Sequence, residues 1–143
     1  MRPCRRRWPS LSDLSEHFVV PYEASFDARY GFEYLAPTHG RVSLGSEHLG
    51  ADGTVQSGVY AAIAESIAST GTAVEVVPQG LVPSGLSNST HVIGVARDGV
   101  LEAHARCRSR GEGEWLWDIE IGPPGGPATA VATVTIAVRP KRV

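Results

Sequence analysis

Hydrophobic and polar residues alternate along this chain with two different periods, and the switch between them divides the chain into elements. From Val100 to Arg108 the alternation is strict: Leu101, Ala103, Ala105 and Cys107 fall on one side, Glu102, His104, Arg106 and Arg108 on the other. A period of two belongs to a half-buried strand. Glu114 to Ile121 repeats it, with Trp115, Trp117, Ile119 and Ile121 opposite Glu114, Leu116, Asp118 and Glu120. Ala128 to Val138 is a run of Ala, Thr and Val that suits a central strand covered on both faces. Leu81 to Val92, rich in Ser and Asn, is a further strand. Upstream, Tyr22–Ala36 holds a short helix or turn and then a strand near Phe32–Leu35. Arg41–Gly45 alternates again and is expected to continue into Ser46 and Glu47.

Between these groups, Ser57–Val76 follows the helical period. On a helical wheel Val59, Ile63, Ile67, Thr70 and Val74 lie opposite Glu65, whereas Gly58, Ala61, Ala62, Ala68, Ser69 and Thr72 cluster around it. Pro78 and Gly80 end the segment. The order is therefore two strands, one long helix and four strands. It predicts an α+β fold, an antiparallel sheet with the helix against one face.

Composition narrows the class. The 143 residues are 42% hydrophobic and 20% charged, with a net charge of −2. That describes one ordinary globular domain, residues 21–143, and gives no footprint for nucleic acid. Residues 1–20 carry four arginines before any regular pattern begins and are expected to form a flexible basic tail. The only stretch long enough to suggest a membrane span, Val59–Val77, contains Glu65 and Glu75, which argues against one. Cys4 and Cys107 match no disulfide scaffold and, with the five histidines, no metal-ligand spacing. Free thiols, a cytoplasmic location and no metal are the expectations. His39 and His48 read as loop residues flanking a strand, and His104 as a surface histidine.

Glu65 is the candidate for chemistry. From Gly58 to Thr72 it is the only charged residue, on a helix face of small side chains that permits close approach of a ligand or another backbone. A dimer contact explains the same small face. At the helix start, the Ser57 and Gly58 N–H groups lack intrahelical partners and can receive an oxyanion. Glu65 lies about 12 Å further along by helical rise. One carbonyl can meet both only if acid and donors come from different subunits.

The stretch Val55-Gln56-Ser57-Gly58-Val59-Tyr60-Ala61-Ala62-Ile63-Ala64-Glu65 resembles the helix-opening motif of hotdog-fold acyl-CoA thioesterases, V-H-G-G-x-x-x-x-x-A-E. The likeness is greatest to 4-hydroxybenzoyl-CoA thioesterases of the Arthrobacter type and extends over nearly the whole chain. It includes Pro21-Tyr22-Glu23, Gly85-Leu86-Ser87-Asn88-Ser89-Thr90, Trp115-Leu116-Trp117-Asp118 and the ending Ile136–Arg142. The resemblance implies a hotdog fold and a homotetramer, a dimer of dimers with active sites at subunit interfaces. It puts the catalytic acid on Glu65, as nucleophile or general base, and the oxyanion amide on Ser57, beside Gly58. The water-orienting hydroxyl falls on Ser69 and a coenzyme A phosphate contact on Arg142. The motif's histidine is Gln56 here. The family's carbonyl-assisting glutamine falls on Gly50, a phosphate-binding arginine on Gly94, and a Ser-Thr pair on Glu112-Gly113.

The expected activity is hydrolysis of a small aromatic or β-keto acyl thioester. Its carrier would be coenzyme A or the phosphopantetheine of an acyl carrier protein, a part of the substrate rather than a cofactor. The alternative is a hotdog protein without hydrolase activity, binding or transforming a polyketide-like ligand.

Overall fold

The computed structural model describes residues 20–142; the arginine-rich tail and Cys4 lie outside the described residues. A short 3-10 turn, Tyr22–Ala24, leads into α1 (Phe26–Tyr30), which Ser25 caps by accepting from the Ala28 N–H. Then follow β1 (Phe32–Ala36), β2 (His39–Ser43), the long helix α2 (Ser57–Val76), β3 (Leu81–Val92), β4 (Val100–Arg110), β5 (Glu114–Gly122) and β6 (Ala130–Pro140). Every pairing is antiparallel, in the order β1-β2-β4-β5-β6-β3. This six-stranded sheet curls around α2, the α+β hotdog architecture that the element order and the resemblance imply.

The core lies between α2 and the concave face of the sheet. Trp117, Ile119 and Ile121 of β5 meet Tyr60, Ile63 and Ile67 of α2, all essentially buried. Each such side chain contributes about 1.5–3 kcal/mol on leaving water. Gly71 lets the Trp117 indole lie directly on the helix: a Cβ there would sit 2.7 Å from the ring. The indole Nε1–H donates to Thr72 Oγ1 at 2.9 Å, and Thr72 donates in turn to the Ala68 carbonyl. A buried tryptophan is thus left with no unsatisfied donor.

Five expectations need correcting. Ala68 and Thr72, placed near Glu65 by the wheel, are fully buried, Thr72 under the Trp117 indole that it hydrogen-bonds and Ala68 one turn before it in the core. The segment of β2 starts at His39 and stops at Ser43; Ser46–His48 is a 3-10 turn, pinned by the Gly45 N–H donating to His48 Nδ1. His48 is accordingly buried rather than a loop residue, and its Nε2–H donates to the Tyr30 carbonyl. His39 is within β2. Finally, β6 alternates buried and half-buried positions from Ala130 to Thr135 and is covered on both faces only at Ile136–Val138, so within one chain it is not doubly covered along its length. No helix among the described residues is long and apolar enough to cross a membrane.

Candidate functional site

Helix α2 begins because Gln56 caps it. Its side-chain Oε1 accepts from the Gly58 N–H at 2.8 Å, a contact a Cβ on Gly58 would obstruct. The two helix-opening residues therefore differ in availability. The Gly58 N–H is held by Gln56, whereas no bond from the Ser57 N–H is present among the described residues. Both residues, like Gln56, are exposed.

Two turns on, Glu65 projects between two clefts. One, about 290 Å³, is lined by Phe26, Asp27, Tyr34, Ala62, Ser66, Ser69 and Thr70 with Glu65 itself. The other, about 130 Å³, lies between Glu65 and the β3 segment Gly85-Leu86-Ser87-Asn88. There the β3–β6 register slips between Gly85 and Ser87. The carboxylate rests against the glycine: a Cβ on Gly85 would come within 2.8 Å of Glu65 Oε1. Among the described residues nothing hydrogen-bonds or ion-pairs with Glu65, while Glu75, the other acid of α2, accepts from Arg110 Nη1 at 2.7 Å. An acid in a cleft with no internal partner keeps its lone pairs for a ligand or water.

The larger cleft has a rigid floor. Asp27 accepts from the Tyr34 hydroxyl at 2.7 Å and from Ser66 Oγ at 2.6 Å. Because Ser66 gives its proton to Asp27, the Tyr30 hydroxyl is the donor in its 2.8 Å contact with Ser66 Oγ. Thr70 donates to the Tyr34 oxygen. Burial, reinforced by the Asp27 charge, pushes both the Tyr30 and Tyr34 phenols far above the usual tyrosine range. They are hydrogen-bonding struts rather than acids. In sequence Asp27, Tyr30 and Tyr34 carry no signal of this role, since only the tertiary packing of α1 and β1 brings them to α2; Ser66 and Thr70 show only as polar neighbours of Glu65 at helical spacing.

Of the residues singled out from sequence, Glu65 and Ser69 come together, one turn apart on the same cleft. Gln56, Ser57 and Gly58 stand at the N-terminus of the helix, out of reach of Glu65 within one chain. Arg142 is exposed beyond β6, where the adjoining Lys141 N–H donates to the Gly80 carbonyl. The site level is set by Gly85 opposite Ile136, so Arg142 lies six residues further on, past the end of β6 at Pro140. A single chain thus presents the acid in mid-helix and the oxyanion donors and arginine at opposite ends.

No family model matches the chain. A curated relative, the "Putative esterase" of Deinococcus radiodurans, is 33% identical over 115 residues, covering 78% of this chain and 72% of the relative. A mutant thioesterase of Pseudomonas aeruginosa shares the fold, with a TM-score of 0.81 and 23% identity over 96% of this chain and 98% of that one. The structure of a putative esterase from Mycobacterium tuberculosis matches with a TM-score of 0.75 and 26% identity, covering 82% of this chain and 98% of its own.

Proposed function

The chain belongs to the hotdog-fold esterase family that the Deinococcus relative represents, and from that premise we propose that it hydrolyses an acyl thioester with Glu65 as the reacting acid. The observation that carries this reading is the exposed carboxylate of Glu65, set between two clefts, resting beside Gly85 and without a partner among the described residues. As general base, Glu65 takes a proton from water while the hydroxide oxygen bonds to the thioester carbon. As nucleophile, its own oxygen forms that bond, giving an anhydride that water then opens. In either course the carbonyl oxygen becomes an oxyanion, and the carbon–sulfur bond breaks as the thiolate leaves and takes up a proton. Ser69, one turn after the acid, is positioned to orient the water.

The oxyanion donor in this scheme is the Ser57 amide of a second copy, since the same chain's amide is about 12 Å from the acid. A homodimer therefore forms the minimal active unit, two of which pair in the proposed tetramer. Phe26 and Tyr34 give the larger cleft an aromatic wall, and its volume of about 290 Å³ suits a small aromatic or β-keto acyl group, as in 4-hydroxybenzoyl-CoA thioesterases of the Arthrobacter type. The carrier is coenzyme A or a carrier protein's phosphopantetheine, with Arg142 of a neighbouring copy available to a phosphate.

The test is thiol release from benzoyl-CoA and from an N-acetylcysteamine benzoyl thioester, comparing wild type with Glu65→Gln. Loss of general-base catalysis lowers the rate by about 10²–10⁴-fold. Undiminished turnover of both esters by Glu65→Gln would refute the assignment. Release from the short ester alone identifies a carrier-protein substrate.

A second reading, a hotdog protein that binds a polyketide-like ligand without hydrolysing it, draws on Gln56, whose side chain occupies the Gly58 donor. It is favoured if the wild type binds the short thioester, by calorimetry, yet releases no thiol.

A further inference from the structure

On the convex face of the sheet, the side away from α2 and Glu65, three side chains from two strands converge. His39 of β2 and His104 of β4 are direct cross-strand partners, and Glu102 precedes His104 by two residues, on the same face. The intervening Gly40 and Ala103 are buried on the core side, which fixes this trio outward. The imidazoles stack, with centroids 4.2 Å apart and an interplanar angle of 18°. Glu102 Oε2 stands 3.3 Å from His39 Nε2 and 3.5 Å from His104 Nε2, and the three atoms all lie within 4.8 Å of one another.

The local charge pattern sets Glu102 apart. Its register partner is Arg41, the expected salt-bridge mate, but Arg41 Nε donates instead to Glu33 at 2.8 Å. Glu102 is left to the two imidazoles. Neither histidine's Nδ1 is bonded among the described residues, so each ring is free to carry its proton on Nδ1 and turn a lone pair on Nε2 toward a shared point. We propose that His39, His104 and Glu102 form a binding site for a divalent transition-metal ion, with zinc as the reference cation.

Geometry and donor chemistry agree on the class. Tetrahedral zinc with bonds of about 2.0–2.1 Å spaces its ligand atoms about 3.3–3.5 Å apart, which is the spacing of Glu102 Oε2 from both nitrogens. Because the nearly parallel rings aim their in-plane Nε2 lone pairs alongside each other, binding requires both imidazoles to turn out of the stack until the lone pairs converge. Two imidazoles and a carboxylate suit zinc, nickel, cobalt or copper rather than magnesium or calcium. Three protein ligands leave a coordination position for water. Glu120, opposite His104 on β5, adds a further acid to this face. The ion would tie β2 to β4 and thereby hold the β1–β2 edge against the rest of the sheet.

The experiment is isothermal titration of the full chain with zinc chloride, with and without His39→Gln and His104→Gln, each variant checked for its fold by circular dichroism. The expected result is one ion per chain, bound in the micromolar range, an apparent melting temperature that rises with zinc, and at least a tenfold loss of affinity in each variant. No saturable binding to wild type overturns the proposal. So does binding of unchanged affinity in the folded variants, which places the ion on other histidines or on a cysteine. Should a variant fail to fold, zinc-induced shifts of two imidazole resonances in the wild type's NMR spectrum serve in its place; their absence refutes the site.

Discussion

Replacing Gly71 with alanine sets two well-known effects against each other, and the structure decides between them. An alanine in a helix interior is favoured over glycine by about 0.8–1.0 kcal/mol, so on propensity alone Gly71→Ala stabilises the protein. Yet its Cβ would meet the Trp117 ring at 2.7, 3.1 and 3.3 Å, where carbon atoms prefer about 3.5–4.0 Å. The indole cannot swing aside cheaply. It is 1% exposed and is anchored through Nε1 to Thr72. Forcing a methyl into such packing costs about 1–3 kcal/mol. The net expectation is destabilisation by about 0–2 kcal/mol, read as a lower urea midpoint with an unchanged slope at fixed protein concentration. Trp117→Phe in the same background removes the crowded atoms, so the double mutant should be more stable than the sum of the single changes predicts. A Gly71→Ala protein more stable than wild type would refute the reasoning.

Other expectations follow from the same contacts. Thr72→Val keeps the shape but orphans the buried Trp117 N–H, and should cost about 1–3 kcal/mol in urea unfolding. Gly85→Ala places a methyl where the Glu65 carboxylate rests. Because that carboxylate is the free end of a flexible side chain, the melting temperature should hold while kcat for thioester hydrolysis falls on the order of 10²-fold, the effect of a misplaced reacting group. Tyr30 and Tyr34 have phenol pKa values raised by burial in the folded state. Their contribution to stability is complete below the ordinary value of 10.0. As pH rises beyond it, only the unfolded chain loses those protons, so stability must fall. Urea midpoints measured at rising alkaline pH should decline, and less steeply in Tyr34→Phe.

The hotdog scaffold was largely legible in the pattern because its core-facing strands alternate cleanly and its one long helix is bracketed by Ser57-Gly58 and Pro78-Gly80. Helix α2 and β3 match the expected bounds, and β5 differs by one residue at its end. The misplaced end of β2 has a tertiary cause: the Gly45–His48 turn depends on burying His48 against Tyr30, a contact with no local signature. The small residues of α2 were read as a surface around Glu65, but Ala68 and Thr72 among them are buried, and Thr72 accepts from Trp117, 45 residues away in sequence, whose ring lies over the neighbouring Gly71. Local pattern distinguishes a small face from a bulky one; it does not say what fills the space. Glu65 itself was legible as an isolated acid. Its floor of Asp27, Tyr30 and Tyr34 was not, nor was the meeting of His39 with His104, which exists only through strand register.

The outer edge of β3 has a consequence for how chains meet. Pro83 offers no N–H to a neighbouring strand, and the slip between Gly85 and Ser87 breaks the regular spacing of the groups that follow. The first half of the strand is thereby a poor template, while Ser87–Val92 runs in unbroken register with β6 and leaves its other side unmet among the described residues. Strand addition by a second copy would have to zip along those six residues, and its twofold axis would pass close to them. During folding the same stretch is open to the wrong chains as well. Refolding yield should therefore hinge on whether correct pairing outruns random capture, with crowding of half-folded chains as the adverse variable.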